Sequence, residues 1–325
     1  MGAGERPDVR VLDAVDRLTL RQQVGQLVVS SFAGSRPPAY IRRRLRARET
    51  AGVILFGANA GSPAQWRRLT RAIQRNARGE ALVMVDQEGG VVRTVGWAGP
   101  AEDQAAQGAP AQIAREARAA ARQLRGVGVN VNLAPVADLG GAVLGARAFA
   151  SDVAASTRAA IEGMRAGRVA ATAKHFPGLG DASVNTDDGS ATSKPQLAPF
   201  RAAVQGRVPL MMLAHAVYPA LDGRRIASQS RVVVEGLLRR QLGYDGVVIT
   251  DSIEAQAVLD RSDVARAAER SIAAGVDLVL TTGSASFNDI YPRLLARARG
   301  DKAFRERVRR SAARVLGLKR RLGLE

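Results

Sequence analysis

The sequence predicts a single α/β domain folded as a (β/α)8, TIM-like barrel, and three observations carry that prediction. Eight short apolar runs recur along the 325 residues, each continuous rather than alternating, as strands buried on both faces of a parallel sheet must be. Helix-like patterns lie between most of them. Titratable residues fall at the carboxyl ends of successive runs, and in a barrel these ends converge on one mouth. A doubly wound open sheet is the competitor, but it would string those groups along an edge, so the barrel is preferred.

The elements follow in chain order. Residues 1–10 are polar and of mixed charge with no apolar signal-peptide core, and residues 1–15 read as a loose extension of the 1–325 domain. The first run is 24–32, followed by an arginine-rich helical stretch at 41–48. The second, 52–56, leads into a helix at 63–76 whose entry is signalled by Ser62-Pro63. The third, 81–85, passes into Asp86-Gln87-Glu88-Gly89-Gly90. A helix at 110–124 precedes the fourth run, 129–133, which leads on to Pro135 and Asp138. Ser151-Asp152 opens a helix over 152–165, and the fifth run, 169–173, ends in Lys174-His175. The sixth, 209–213, reaches His215 and is followed by a helix over 232–242. The seventh, 246–250, ends in Asp251, and the eighth is 276–280. The closing helix carries Phe304, Val308, Ala312, Val315 and Leu316 as a one-sided stripe.

Composition excludes several classes. The chain has no cysteine and two histidines, so it holds no disulfide, thiolate nucleophile or histidine-rich metal site, and no metal is expected. No apolar run reaches the roughly 18 residues of a membrane span. The net charge of +18 is almost wholly arginine, since lysine occurs only at 174, 194, 302 and 319. Such a surface attracts polyanions, yet the arginines are dispersed along helix-like segments with few aromatics between them. A base-stacking platform is therefore not expected, nor is nucleic acid as the main partner. A cytoplasmic location is expected, or an exported one if the N-terminus has been trimmed.

Several residues stand out as chemistry rather than packing. Asp251 ends an apolar strand, where a carboxylate is costly unless it is bonded or functional, and reads as nucleophile or base against the alternative of a helix cap. Asp86 precedes a Gly-Gly turn where backbone can approach a ligand, and Glu88 reads as a supporting residue. Lys174 and His175 would point to opposite sides in strand geometry unless the bend at Pro177 brings both in. Both histidines, His175 and His215, fall at strand ends and read as hydrogen-bond partners of a substrate. Arg147 could hold a substrate or pair with Asp138 or Asp152. Asp181, Asp187 and Asp188 lie in the polar loop after the fifth run. One of them facing Asp251 would make the carboxylate pair that glycoside hydrolysis requires.

These residues sit in blocks that resemble glycoside hydrolase family 3, in particular its bacterial β-N-acetylglucosaminidase branch. The blocks are Ala51-Gly-Val-Ile-Leu-Phe56, Val85-Asp-Gln-Glu-Gly-Gly90, Leu133-Ala-Pro-Val136, Arg147-Ala-Phe149, Lys174-His-Phe-Pro-Gly178, Ala214-His215, Gly246-Val-Val-Ile-Thr-Asp251 and Leu316-Gly-Leu-Lys-Arg-Arg-Leu-Gly323, in the family's order. The resemblance implies a barrel, no cofactor, no protein partner and a small saccharide or cell-wall fragment as substrate. It implies that Asp251 is the nucleophile of a covalent glycosyl-enzyme. Asp86, Asp138, Arg147, Lys174, His175 and His215 would line the sugar pocket. Arg93 would stand in for the family's arginines after the Gly-Gly turn.

The chain departs from the family at the acid/base. After Pro-Gly the branch carries His-Gly, four residues, then Asp-Ser-His. Here Leu179, Asn185 and Asp187 replace the first histidine, the orienting aspartate and the catalytic histidine. A carboxylic acid would be hindered by a neighbouring carboxylate but can be held by an amide. Asp187 is therefore expected as acid/base with Asn185 as its orienter, and its pKa must be raised by burial. Leu179 is expected to make the rim more apolar. A carboxylate at this place would repel phosphate, which favours hydrolysis over phosphorolysis. The alternatives are a weak or inactive homologue that binds amino sugars, or a hydrolase of another β-linked sugar.

Overall fold

The computed structural model describes residues 9–324. Eight parallel strands close into a barrel: β1 (Val28–Ser30), β2 (Gly52–Ile54), β3 (Leu82–Val85), β4 (Val131–Asn132), β5 (Ala170–Phe176), β6 (Leu210–Leu213), β7 (Val247–Ser252) and β8 (Leu278–Leu280). Each strand pairs with its sequence neighbours, and β1 closes the ring on β8 through Val28↔Val279. All eight runs become strands. The first is shorter than its hydrophobicity suggests, because Thr19 and Gln22 form a capping box that starts a helix over Leu20–Gly25. Val24 and Gly25 belong to that helix, and the strand begins at Val28.

Alternation along the strands makes two cores. Val29, Ile54, Met84, Leu210, Ile249 and Leu278 fall in one cluster, together with Val315 and Leu318 of the closing helix (Lys302–Arg321). Intervening residues such as Val53, Val83 and Val248 pack outward under the helices with Trp66, Leu69 and Ile73. Each such side chain contributes about 1.5–3 kcal/mol on burial. The expected loose extension over 1–15 is corrected where it is described: Val9–Asp16 is a helix, with Val15 fully buried against the closing helix. Its apolar positions Val11 and Val15 lie four apart on one face. Residues 1–8 of that expectation lie outside the described residues. Among the described residues no helix is long and apolar enough to cross a membrane.

Opposite the mouth, β8 is approached through Asp277, a fully buried carboxylate. Arg239 at 2.6 Å, Arg307 at 3.0 Å and Arg314 at 3.3 Å surround it, and Val248 N–H and Ser311 Oγ donate to it. It ties the helix over Val232–Gln241 to the closing helix through one anion. Among the described residues, Asp277→Ala leaves Arg239 and Arg314 without a carboxylate partner and Arg307 with Glu235 alone, and is expected to cost about 3–5 kcal/mol, read as a lower urea midpoint at constant m-value.

Candidate active site

Four strand ends build the mouth. Asp86 follows β3, Lys174 and His175 close β5, His215 follows β6, and Asp251 lies near the end of β7. The peptide between Lys174 and His175 is cis, and both side chains reach this cluster instead of diverging. Lys174 Nζ lies 2.7 Å from Asp86 Oδ1 and 2.7 Å from Glu88 Oε1. Burial opposes its charge, and Asp86 and Glu88 outweigh burial and raise its pKa.

Glu88 is the buried keystone of this side. It accepts a bidentate pair from Arg147, Nε at 2.9 Å and Nη2 at 2.8 Å. Burial would raise its pKa, but Lys174 and Arg147 hold it down at about 2. Arg147 therefore pairs with neither Asp138 nor Asp152; it is fixed from behind while a quarter of its side chain stays open.

His175 is fixed in the same manner by Asp138. That carboxylate is fully buried, takes His175 Nδ1 at 2.8 Å, and also accepts the backbone N–H of His175 and Leu179. The Nε2 edge then lies 3.7 Å from Asp251 Oδ2. Asp138 is thus corrected from sugar contact to positioning residue, since its oxygens are taken by three N–H donors, two from His175 at the end of β5 and one from Leu179 just beyond it.

His215 is corrected likewise. It is fully buried, with Nδ1 2.8 Å from Ser228 Oγ and Nε2 3.0 Å from the Ser252 carbonyl. The carbonyl can only accept, so Nε2 carries the proton and Nδ1 accepts from Ser228. Burial pushes the imidazole pKa down, against the pull of Asp251. Both ring nitrogens are engaged, and the residue holds the backbone beside Asp251 instead of facing a substrate.

Asp251 keeps 21% of its side chain open and accepts Ser252 N–H at 2.8 Å. Burial works to raise its pKa, yet His175, His215 and Lys174 outweigh this and hold the carboxylate below its usual range. Asp187 is its opposite. Loss of hydration first, and the charge of Asp251 second, raise its carboxyl, while His175, His215 and Arg147 pull the other way. The residue as a whole is solvent-exposed.

The loop bearing Asp187 is docked, not loose. Its Thr186 and Asp187 carbonyls accept Ala257 N–H at 3.1 Å and Gln256 N–H at 3.3 Å, just beyond β7. Gly180 packs backbone to backbone against the loop after β4: a Cβ on Gly141 would meet Gly180 O at 1.7 Å. Asn185 Oδ1 accepts the backbone N–H of Asp187 at 3.1 Å, and among the described residues its amide makes no hydrogen bond to the Asp187 carboxyl. Leu179 is buried in the core and adds nothing apolar to the rim. Arg93 lies on a short hairpin strand, and its side chain joins no ion pair among the described residues, so the cluster forms without it.

One part of the site escaped sequence reasoning. Ser252 Oγ meets Thr282 Oγ1 at 2.8 Å, and Glu254 accepts Thr282 N–H and Gly283 N–H at 3.0 Å each. This network ties the segment after Asp251 to the end of β8. The only signal was a carboxylate three residues past Asp251, which is too common in loops to single out.

Comparison with known proteins places the fold in a family. Residues 19–318 match the glycosyl hydrolase family 3 N-terminal domain. A β-hexosaminidase of Xanthomonas oryzae pv. oryzae is 35% identical over 277 residues, covering 78% of this chain and 83% of that protein. Among solved structures, a glycoside hydrolase family 3 β-N-acetylglucosaminidase from Paenibacillus sp. str. FPU-7 superposes with a TM-score of 0.90 at 34% identity. The match covers 94% of this chain and 63% of the Paenibacillus chain. A β-N-acetylhexosaminidase from Beutenbergia cavernae gives 0.83 at 32% identity, covering 93% of this chain and 98% of its own.

Proposed function

The chain belongs to glycosyl hydrolase family 3 and is a glycoside hydrolase; from that premise we propose a retaining β-glycosidase that removes β-linked N-acetylglucosamine from cell-wall or chitin-like saccharides. The observation that carries the reading is two carboxylates at one mouth: Asp251, 3.7 Å from His175 Nε2, and Asp187 on the docked loop within its field, with burial and neighbouring charge moving their pKa values in opposite directions. Such a pair assigns nucleophile and acid.

In the first step an Asp251 oxygen attacks the anomeric carbon as the glycosidic C–O bond breaks, and the leaving oxygen takes its proton from Asp187. The product is a glycosyl ester on Asp251 and an Asp187 carboxylate. In the second step Asp187 takes a proton from water, whose oxygen attacks the same carbon and releases Asp251. Lys174, Arg147, Asp86 and the open edge of His175 would hold the sugar hydroxyls. The negative charge that Asp187 carries in the second step repels phosphate, so water is the acceptor.

A sugar binder with little turnover is the second reading. It is favoured by one observation: among the described residues the Asp187 carboxyl accepts no hydrogen bond. Turnover of aryl β-N-acetylglucosaminide and aryl β-glucoside, with NMR of the first anomer released, separates the two. We expect the N-acetylglucosaminide to be preferred and the β-anomer to appear first. No turnover of either substrate, with saturable N-acetylglucosamine binding, sinks the catalytic reading.

A further inference from the structure

A basic cleft of about 540 Å3 opens on the flank of the barrel, and none of the mouth residues lines it. Arg224 and Arg225 come from a hairpin strand after β6, Arg231 starts the following helix, Arg261 follows the short helix Gln256–Leu259, and Arg270 lies on the helix Val264–Ala274. Among the described residues none of these five guanidinium groups has a carboxylate within ion-pair distance. Asp222 accepts the backbone N–H of Arg225, but the guanidinium groups of Arg225 and Arg261 act on Asp222 and Asp260 only through their longer-range field. At the rim, by contrast, Arg297 is already paired with Glu269 at 2.7 Å.

Gln229 lines the same cleft, is 6% exposed, and its buried Nε2 has no acceptor. A buried donor without a partner is costly, and native structures rarely leave one. Five guanidinium groups and one amide N–H2 are donors only, so the complementary ligand is an anion with accepting oxygens and no need to donate. Guanidinium forks match phosphate, which also carries up to two charges per group. The apolar lining is Ile226, Ala273 and Ala274, with no aromatic ring on which a nucleic-acid base could stack.

We propose that this cleft binds an oligophosphate: two or more phosphate groups on a flexible chain without aromatic bases. A free polyphosphate and a phosphodiester-linked polyol or glycan share that chemistry.

Calorimetric titration of the full chain in about 0.1 M salt tests it, with tripolyphosphate and poly(glycerol phosphate) as probes and oligogalacturonate and oligo-dT as comparators. Both phosphate probes binding at one site, or either alone, supports the proposal and identifies the source. Arg225→Gln/Arg231→Gln/Arg270→Gln is expected to weaken binding on the order of tenfold, and Gln229→Leu about threefold. Arg68→Gln/Arg71→Gln/Arg75→Gln removes the same charge from another arginine-lined cleft and is expected to change binding by less than about twofold. Aryl-glycoside turnover stays unchanged in both triple variants. Equal losses in the two triples, tighter binding of oligo-dT or galacturonate, or no saturable binding overturns the proposal.

Discussion

Asp251→Asn lowers kcat/KM on the order of 10^4- to 10^6-fold, the scale of losing the group through which covalent catalysis runs. The loss should fall on kcat, because Lys174, Arg147 and His175 are anchored by Asp86, Glu88 and Asp138 and keep the sugar site without Asp251. Saturable binding of N-acetylglucosamine is expected to survive. The variant has a second effect that a structural role would not produce. The Asp251 charge helps to raise Asp187, so its removal should lower the Asp187 pKa, read by NMR titration of the carboxyl carbon. An unchanged Asp187 titration would break the proposed coupling.

Asp187→Ala is expected to lower kcat/KM about 10^2- to 10^4-fold towards a substrate with a poor leaving group. An activated aryl leaving group needs no proton, so its first step should persist while hydrolysis of the ester slows, and azide should restore turnover by replacing the general base. The pH profile gives the sign. Asp187 must enter the cycle protonated, and its raised pKa keeps it so to higher pH, so it sets the alkaline limb. Asp251 must enter ionised, and its lowered pKa sets the acid limb. In Asp187→Ala the alkaline limb should disappear and the acid limb remain. A bell of unchanged shape would exclude Asp187 as acid/base.

The barrel was legible because each strand is a continuous β-branched run and each strand end carries a polar group, and both follow from local sequence. The mouth was legible as a set: Asp86, Lys174, His175 and Asp251 do converge. The division of labour within it was not. Asp138 and His215 have the residue types of sugar contacts, and only three-dimensional hydrogen bonding shows their polar atoms turned inward. Glu88 shows the reverse, for its importance comes from holding two cations at once across 59 and 86 residues of chain, a contact that no local pattern encodes. The capping box at Thr19 was readable and should have overridden the apolar run at Val24. Residue types suggested an amide beside the Asp187 carboxyl, whereas Asn185 bonds the Asp187 backbone through turn geometry that residue types do not reveal.

The most direct measurement is mass spectrometry of Asp187→Ala quenched during reaction with an activated aryl β-N-acetylglucosaminide. With the first step intact and the second slowed, one N-acetylglucosamine should accumulate as an ester on the peptide containing Asp251. An ester on a different carboxylate, or continued turnover with the α-anomer released first and no adduct, would contradict a covalent mechanism through Asp251.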